Sequence, residues 1–175
     1  MKIMMVTKDM IADFFNLYQQ IVNESFELWT RESKDYWLNE DYSLKFWTEL
    51  VNEGKCPVCV LEEENQLVGF TAVEGIDYGV VYLGWIGVLK KFQKKGFGDL
   101  LMNSVIEWAE KDKKIHKIEL ETQISELQHF YEKYGFVLEG IRKKSWQKLD
   151  NYMFGKVLNR NTTGSKKFAL CAVVD

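Results

Sequence analysis

The chain has 175 residues, 46% of them apolar and 28% charged, the balance of an ordinary globular domain with a sizeable core, which excludes a disordered or fibrous class. Its 23 basic and 26 acidic residues give a net charge of -3, which leaves no basic face for nucleic acid and so implies no nucleic-acid partner. Met1 to Val6 is apolar but short and is followed by Lys8 and Asp9, and the longest apolar run, Phe168 to Val174, is far shorter than a membrane span; the expected location is cytoplasmic, with no membrane partner.

Residues 1–6 read as a short strand. Asp9 is placed to cap a helix running to about Glu24, with Ile11, Phe14, Phe15, Tyr18 and Ile21 at helical spacing. Residues 25–54 are irregularly periodic, aromatic and acidic, with Trp29, Glu32, Asp35, Tyr36, Trp37, Glu40, Asp41 and Tyr42. A helix over about Ser43 to Asn52 closes this part, with Gly54 where a C-cap belongs. Val58–Leu61 and Val68–Val73 flank a polar turn, Glu62 to Gln66, as a hairpin. Another strand begins at Gly79 and carries Val80, Val81, Tyr82, Leu83, Trp85, Ile86 and Val88.

A glycine-containing loop then leads into a helix over about Gly98 to Lys111, whose Leu100, Leu101, Val105, Trp108 and Ala109 share one face. Ile118, Leu120 and Thr122 alternate with Glu119 and Glu121 as a strand. A short helix covers about Glu126 to Tyr134, and Gly135 ends it. Two last strands, about 136–146 and 151–158, are joined by Leu149-Asp150-Asn151. The order predicts a mixed sheet with helices packed on its faces, as one domain.

Cys56, Cys59 and Cys171 are too few, and odd in number, for a disulfide framework. Cys56-Pro57-Val58-Cys59 has redox spacing, but it leads into a strand rather than a helix, and no second ligand pair completes a zinc site. Two strand-edge thiols are the better reading, with no metal expected. His116 reads as a turn residue and His129 as a helix-surface residue.

Gln93-Lys94-Lys95-Gly96-Phe97-Gly98 lies between a buried strand and an amphipathic helix. Such a loop points main-chain N–H groups into one concavity at the positive end of the helix dipole. Lys90, Lys91, Lys94 and Lys95 surround it in an otherwise acidic chain. Loop chemistry alone leaves open a diphosphate site or a tight turn with solvated lysines. No Walker loop is present, and Leu101 stands where a dinucleotide fingerprint needs its third glycine.

Val88 through Leu101, centred on the Gln93–Gly98 loop, resembles the coenzyme A motif of the GCN5-related N-acetyltransferase superfamily. Phe130-Tyr131-Glu132-Lys133-Tyr134-Gly135-Phe136 is similar to a second segment of the same superfamily, at fitting distance. Glu139-Gly140 followed by Arg142 looks like the branch that acetylates ribosomal-protein N-termini and spermidine. The resemblance implies an α/β domain of the α+β type: a mixed, mostly antiparallel twisted sheet of about six to seven strands with helices on both faces. It implies that residues 1–57 supply acceptor-side elements and 58–158 the coenzyme-binding core, and gives the tail 159–175 no role.

The implied activity is transfer of the acetyl group of acetyl-CoA to a primary amine by direct attack, without a metal. Two parallel strands, about 81–89 and 117–123, would splay apart around the pantetheine arm. Main-chain groups of Ile86, Gly87 and Val88 would pair with its amides, and N–H groups from Gln93 through Lys94, Lys95, Gly96, Phe97 and Gly98 to Asp99 would hold the diphosphate. Tyr131 matches the tyrosine that hydrogen-bonds the departing sulfur; a phenol near pKa 10 facing a thiol near about 8.5 favours stabilisation over full proton transfer.

Relatives place a Glu on the strand before the loop, where this chain reads Tyr82-Leu83-Gly84-Trp85, so Glu74 and Glu121 are the candidate bases. The Asn that relatives carry about seven residues before the tyrosine is replaced by Ile124, with Ser125 beside it. The acceptor is a polyamine, a protein N-terminus, a lysine or a small amine, and the stretch Trp29 to Tyr42 either lines its site or packs inward. A homodimer is left open. The competing expectation is a non-catalytic acyl-CoA binding or sensing domain.

Overall fold

The structure, a computed structural model, describes residues 1–158; the tail from 159, with Cys171 and the 168–174 apolar run, lies outside the described residues. Seven strands form one sheet: β1 (Lys2–Met5), β2 (Val58–Glu63), β3 (Gln66–Asp77), β4 (Val80–Val88), β5 (Lys117–Thr122), β6 (Val137–Trp146) and β7 (Leu149–Val157). Their order is β1-β2-β3-β4-β5-β7-β6. Every neighbouring pair is antiparallel except β4–β5, which is parallel. The helices are α1 (Ile11–Ser25), α2 (Arg31–Tyr36), α3 (Leu44–Glu53), α4 (Phe97–Lys111) and α5 (Gln128–Glu132). No described helix is long and apolar enough to cross a membrane.

The two faces of the sheet carry separate apolar clusters. Phe14, Tyr18, Ile21 and Val22 of α1 and Trp47 of α3 pack on Val60, Phe70, Ala72 and Trp85. Met102, Val105 and Ala109 of α4 and Tyr131 of α5 pack on Val81, Leu83, Ile118, Leu120 and Phe154. Two helical layers on a sheet with alternating sides is the arrangement that the element order predicted.

Local chemistry sets most boundaries. The Ser43 hydroxyl accepts from the Phe46 N–H at the start of α3, and Gly54 at φ +64° follows its end. The 25–42 stretch contains α2, capped by the Thr30 hydroxyl accepting from Ser33 N–H at 3.2 Å, and a π-helical turn over Trp37–Asp41.

Two expectations are corrected. Asp9 does not cap α1: the Thr7 hydroxyl donates to its carboxylate at 2.6 Å, and the chain enters α1 through a 3-10 turn, Lys8–Met10. The last hairpin turns at Gln147 and Lys148, both at positive φ, and Leu149, Asp150 and Asn151 already belong to β7. The polar triple resembles a turn, but Asp150 accepts from Lys144 N–H and Lys143 Nζ across the ladder and so stabilises strand pairing.

The β3–β4 ladder is irregular at one place. Ala72 pairs with Trp85 and Val73 with Leu83, which leaves Gly84 unopposed; Gly75 pairs with Tyr82, which leaves Glu74 unopposed. The extra residue reverses the facing of β4, so Leu83 lies in the α4 cluster and Trp85, two residues on, in the α1 cluster. β4 pairs with β5 only from Val80–Lys117 to Tyr82–Glu119 and then departs from it. The strands splay where the bulge begins.

Candidate active site

The splay opens a cavity of about 390 Å³ whose walls include Leu83 to Val88 on one strand and Leu120 to Ile124 on the other. Because β4 has left β5, the β5-side edge of Leu83–Val88 has no strand partner, while Ile86, Gly87 and Val88 keep their pairing to Thr71, Phe70 and Gly69. An open edge of main-chain groups lining a slot suits an extended amide-bearing chain. Ile86, Gly87, Val88 and Gln93 thus line the cavity. The Val88 carbonyl already accepts from Gln93 Nε2 at 3.1 Å, so that side chain braces the loop.

Lys94 to Asp99 lie beyond the cavity, at the start of α4. Gly96 takes φ +83° at the N-cap, a left-handed conformation that glycine adopts without strain, and Lys94 also has positive φ. The first-turn amides of α4 have no acceptor within the helix. Of the surrounding lysines, Lys90 is paired with Glu27 at 2.6 Å, and Lys91 and Lys95 lie over the Phe92 ring at 4.9 and 5.1 Å. Asp99 does more than present its amide. Its carboxylate accepts from Lys133 Nζ at 2.9 Å and from the Tyr134 hydroxyl, which holds it below the usual carboxylate range. The two resembling segments are therefore joined by direct contact.

Tyr131 lies on α5, buried, and lines the same cavity. Burial pushes its phenol well above the usual tyrosine range, with Thr122 beside it acting the other way. It is a neutral donor at neutral pH. Ile124 and Gln123 line the wall where an Asn was expected, and a buried Asn151 reaches there from β7 instead. Asn151 accepts from Gln123 Nε2 at 2.8 Å and donates to Glu121.

The two candidate bases differ sharply. Glu121 lines the cavity but is committed, ion-paired with Arg142 at 3.0 Å and bound by Asn151. Glu74 projects from its bulge onto Gly84, whose missing side chain leaves the space the carboxylate fills. Its Oε2 accepts from the Tyr42 hydroxyl at 3.0 Å. Burial raises it to about 7, opposed by the hydrogen bonds of Tyr42 and Trp85. Tyr42, Gly84 and Trp85 line the cavity, and Glu74 stands directly behind them.

Beyond the slot the wall is aromatic. Trp37 stacks on Tyr42 at 4.6 Å, meets Trp85 at 5.2 Å, and touches Trp146 from the last hairpin at 5.2 Å. Trp29 packs on Trp146 at 4.8 Å. The stretch Trp29 to Tyr42 both lines the site and packs inward. Trp146 and Asn151 were not picked out as site residues from the sequence, and Tyr42 only as the end of the Trp29–Tyr42 stretch. The signal for Tyr42 was the buried acid opposite it, which only the fold reveals.

Cys56 is buried and Cys59 half-buried; burial raises both thiols, Cys59 to about 11, so neither is a ready nucleophile. His116 and His129 are exposed and away from the cavity.

Comparison with known proteins agrees with this geometry. The chain is similar to the PaiA N-acetyltransferase of Thermoplasma acidophilum solved in complex with coenzyme A, with TM-score 0.76 and 16% identity over 90% of this chain and 98% of that one. It is similar to a ribosomal-protein-alanine N-acetyltransferase from Brucella melitensis, with TM-score 0.73 and 21% identity over 90% and 100%. A GNAT-family acetyltransferase from Streptococcus pneumoniae gives 0.74 and 20% over 90% and 99%. No curated protein matches by sequence. The sequence profile described as "Acetyltransferase (GNAT) family" matches residues 16–136, well over half of the chain. With its slot, its bulged strand and its loop at α4, the chain belongs to the GNAT acetyltransferase family and is an acyltransferase.

Proposed function

We propose that the protein transfers the acetyl group of acetyl-CoA to a primary amine, with Tyr42 and Glu74 removing the amine proton and Tyr131 stabilising the departing sulfur. The observation that carries this reading is the single cavity that runs from Gln93, past the open edge of β4, to Tyr131 on one side and Tyr42 on the other. The amides of Gln93 to Asp99, at the start of α4, hold the diphosphate. Ile86, Gly87 and Val88 pair with the pantetheine amides, and an N–H of this edge polarises the thioester carbonyl.

The neutral amine attacks the thioester carbon, the C–S bond breaks, and the amide and free thiol result. Before attack the ammonium proton passes to the Tyr42 oxygen as the Tyr42 proton passes to Glu74; after attack the proton that the acylated nitrogen loses neutralises the departing thiolate. An unperturbed alkyl ammonium costs roughly 4–5 kcal/mol to deprotonate at pH 7, and a carboxylate held near 7 is suited to receive that proton. Tyr131 donates to the developing thiolate.

Titrating the protein with acetyl-CoA, then measuring thiol release with a panel of amines, tests both halves. Binding with turnover supports the proposal. Binding without turnover on any amine favours the non-catalytic sensing domain, and no binding removes both.

A further inference from the structure

Charge is distributed unevenly over the wall of the cavity. Among the described residues that line it, Glu121 alone carries a charge, and no lysine, arginine or histidine reaches the wall. The outer half is otherwise lined by the rings of Trp29, Trp37, Tyr42, Tyr82, Trp85 and Trp146. Such a wall attracts cations and offers nothing to repel a second one.

The pairing of Glu121 leaves capacity on its carboxylate. Arg142 meets Oε1 at 3.0 Å and the Asn151 amide donates to Oε2, one partner for each oxygen. A carboxylate offers about four acceptor positions. The Arg142 side chain is 59% exposed and lies outside the wall, so water screens its charge. Asn151 is buried and itself accepts from Gln123 Nε2, so it holds the carboxylate in one orientation.

Tyr82 senses the resulting field. The strand register sets it between Gly75 of β3 and Glu119 of β5, with Glu74 and Glu121 following on either side. Burial raises its phenol above the usual tyrosine range. The carboxylates of Glu121 and Glu74 add to this, and Arg142 opposes them with less effect than either. The transfer reading gives Glu74 a proton to receive and leaves Glu121 without a task. A monoamine delivered to Tyr42 would leave the free acceptor positions of Glu121 empty.

We infer that the acceptor is an aliphatic diamine, whose second, charged nitrogen sits on Glu121 against the Tyr82 ring while the reacting nitrogen meets Tyr42. The inference rests on the acetyl-transfer reading of the same cavity. Glu121 thus selects the acceptor and takes no proton, and Asn151 is the residue that positions it.

The test compares diamines of three, four and five carbons with the monoamines of the same length, and with a lysine-free peptide bearing an N-terminal alanine. Each is offered with acetyl-CoA, and thiol release and product mass are read. The best diamine should exceed its monoamine and the peptide in kcat/KM by about tenfold to 100-fold, the range of a hydrogen bond to a charged group. Glu121→Gln should cut that preference to about unity, through KM for the diamine, while calorimetry gives an unchanged acetyl-CoA dissociation constant. Arg142→Gln, at an exposed position, removes the competing cation and should widen the preference severalfold, an opposite change that loss of folding cannot mimic. Monoamine or peptide turnover equal to that of the best diamine overturns the inference and leaves acetyl transfer standing. So does a diamine preference that survives Glu121→Gln, or one that Arg142→Gln leaves unchanged or narrows. Binding of acetyl-CoA with no turnover of any amine ends this inference and the transfer reading together.

Discussion

The carboxylate of Glu74 occupies the space in front of Gly84, so that an acid rooted in β3 stands where a side chain of β4 would be. Both residues are the unopposed members of their strands. A Cβ at position 84 would overlap the carboxylate. Glycine there is therefore a condition for the acid on the neighbouring strand, and the two positions should behave as one unit.

Substitution of either should show this coupling. Gly84→Ala is expected to push Glu74 aside and to lower turnover about tenfold or more, with acetyl-CoA affinity kept. Glu74→Ala alone should lose about 100-fold, within the range of a general base. The double variant Glu74→Ala/Gly84→Glu, which returns an acid to the same space from the other strand, should recover part of the activity. Kinetics of the three proteins decide it; a double variant no better than Glu74→Ala would show that the space is not the catalytic position.

The pH dependence follows from the same residue. Glu74 ionises at about 7 in the folded chain and near 4.5 when exposed, so the folded state binds the extra proton between these values. Its contribution to stability is therefore present at low pH and is lost as pH rises from about 4.5 through about 7. Glu74→Gln removes that loss and should raise the melting temperature at pH 8 more than at pH 5, by a free-energy difference on the order of 2–3 kcal/mol. In kcat/KM the wild type should rise through pH 7, and this limb should be absent from Glu74→Gln.

Tyr131→Phe removes a donor and keeps the ring against Phe154. Turnover should fall about tenfold to 100-fold, while calorimetry with acetyl-CoA gives a nearly unchanged dissociation constant. Wild-type turnover in this variant would remove Tyr131 from the chemistry.

Gly96→Ala tests the loop. A Cβ there meets only Asp99 Oδ2 at 3.9 Å, so there is room, but φ +83° is strained for alanine. A stability loss of about 1–2 kcal/mol is expected, with weaker acetyl-CoA binding as the loop relaxes to a different path. Thermal melts with and without ligand separate the two effects.

Much of this was legible from short-range pattern. The strand alternation at 117–122, the apolar face of α4, and the Gly96–Gly98 loop each depend on residues a few positions apart, and the structure has them where the spacing put them. What the sequence did not disclose depends on pairing across strands. That Gly84 and Glu74 face one another requires the β3–β4 register, which two bulges shift. That Trp146 meets Trp29 and Trp37 requires a hairpin to fold back over more than a hundred residues. Asp9 and the Leu149–Asn151 triple were misjudged for a related reason: short polar side chains satisfy main-chain groups in turns and in strands alike, and only the partner decides which.

The contact of Asp99 with Lys133 and Tyr134 joins the start of α4 to the residues that follow the short helix bearing Tyr131. On the proposed reading, the elements that hold the diphosphate and face the sulfur are the ones this contact ties together. A truncated thioester without the diphosphate should lose rate at saturation as well as affinity, because remote attachment energy is spent on aligning the reacting group.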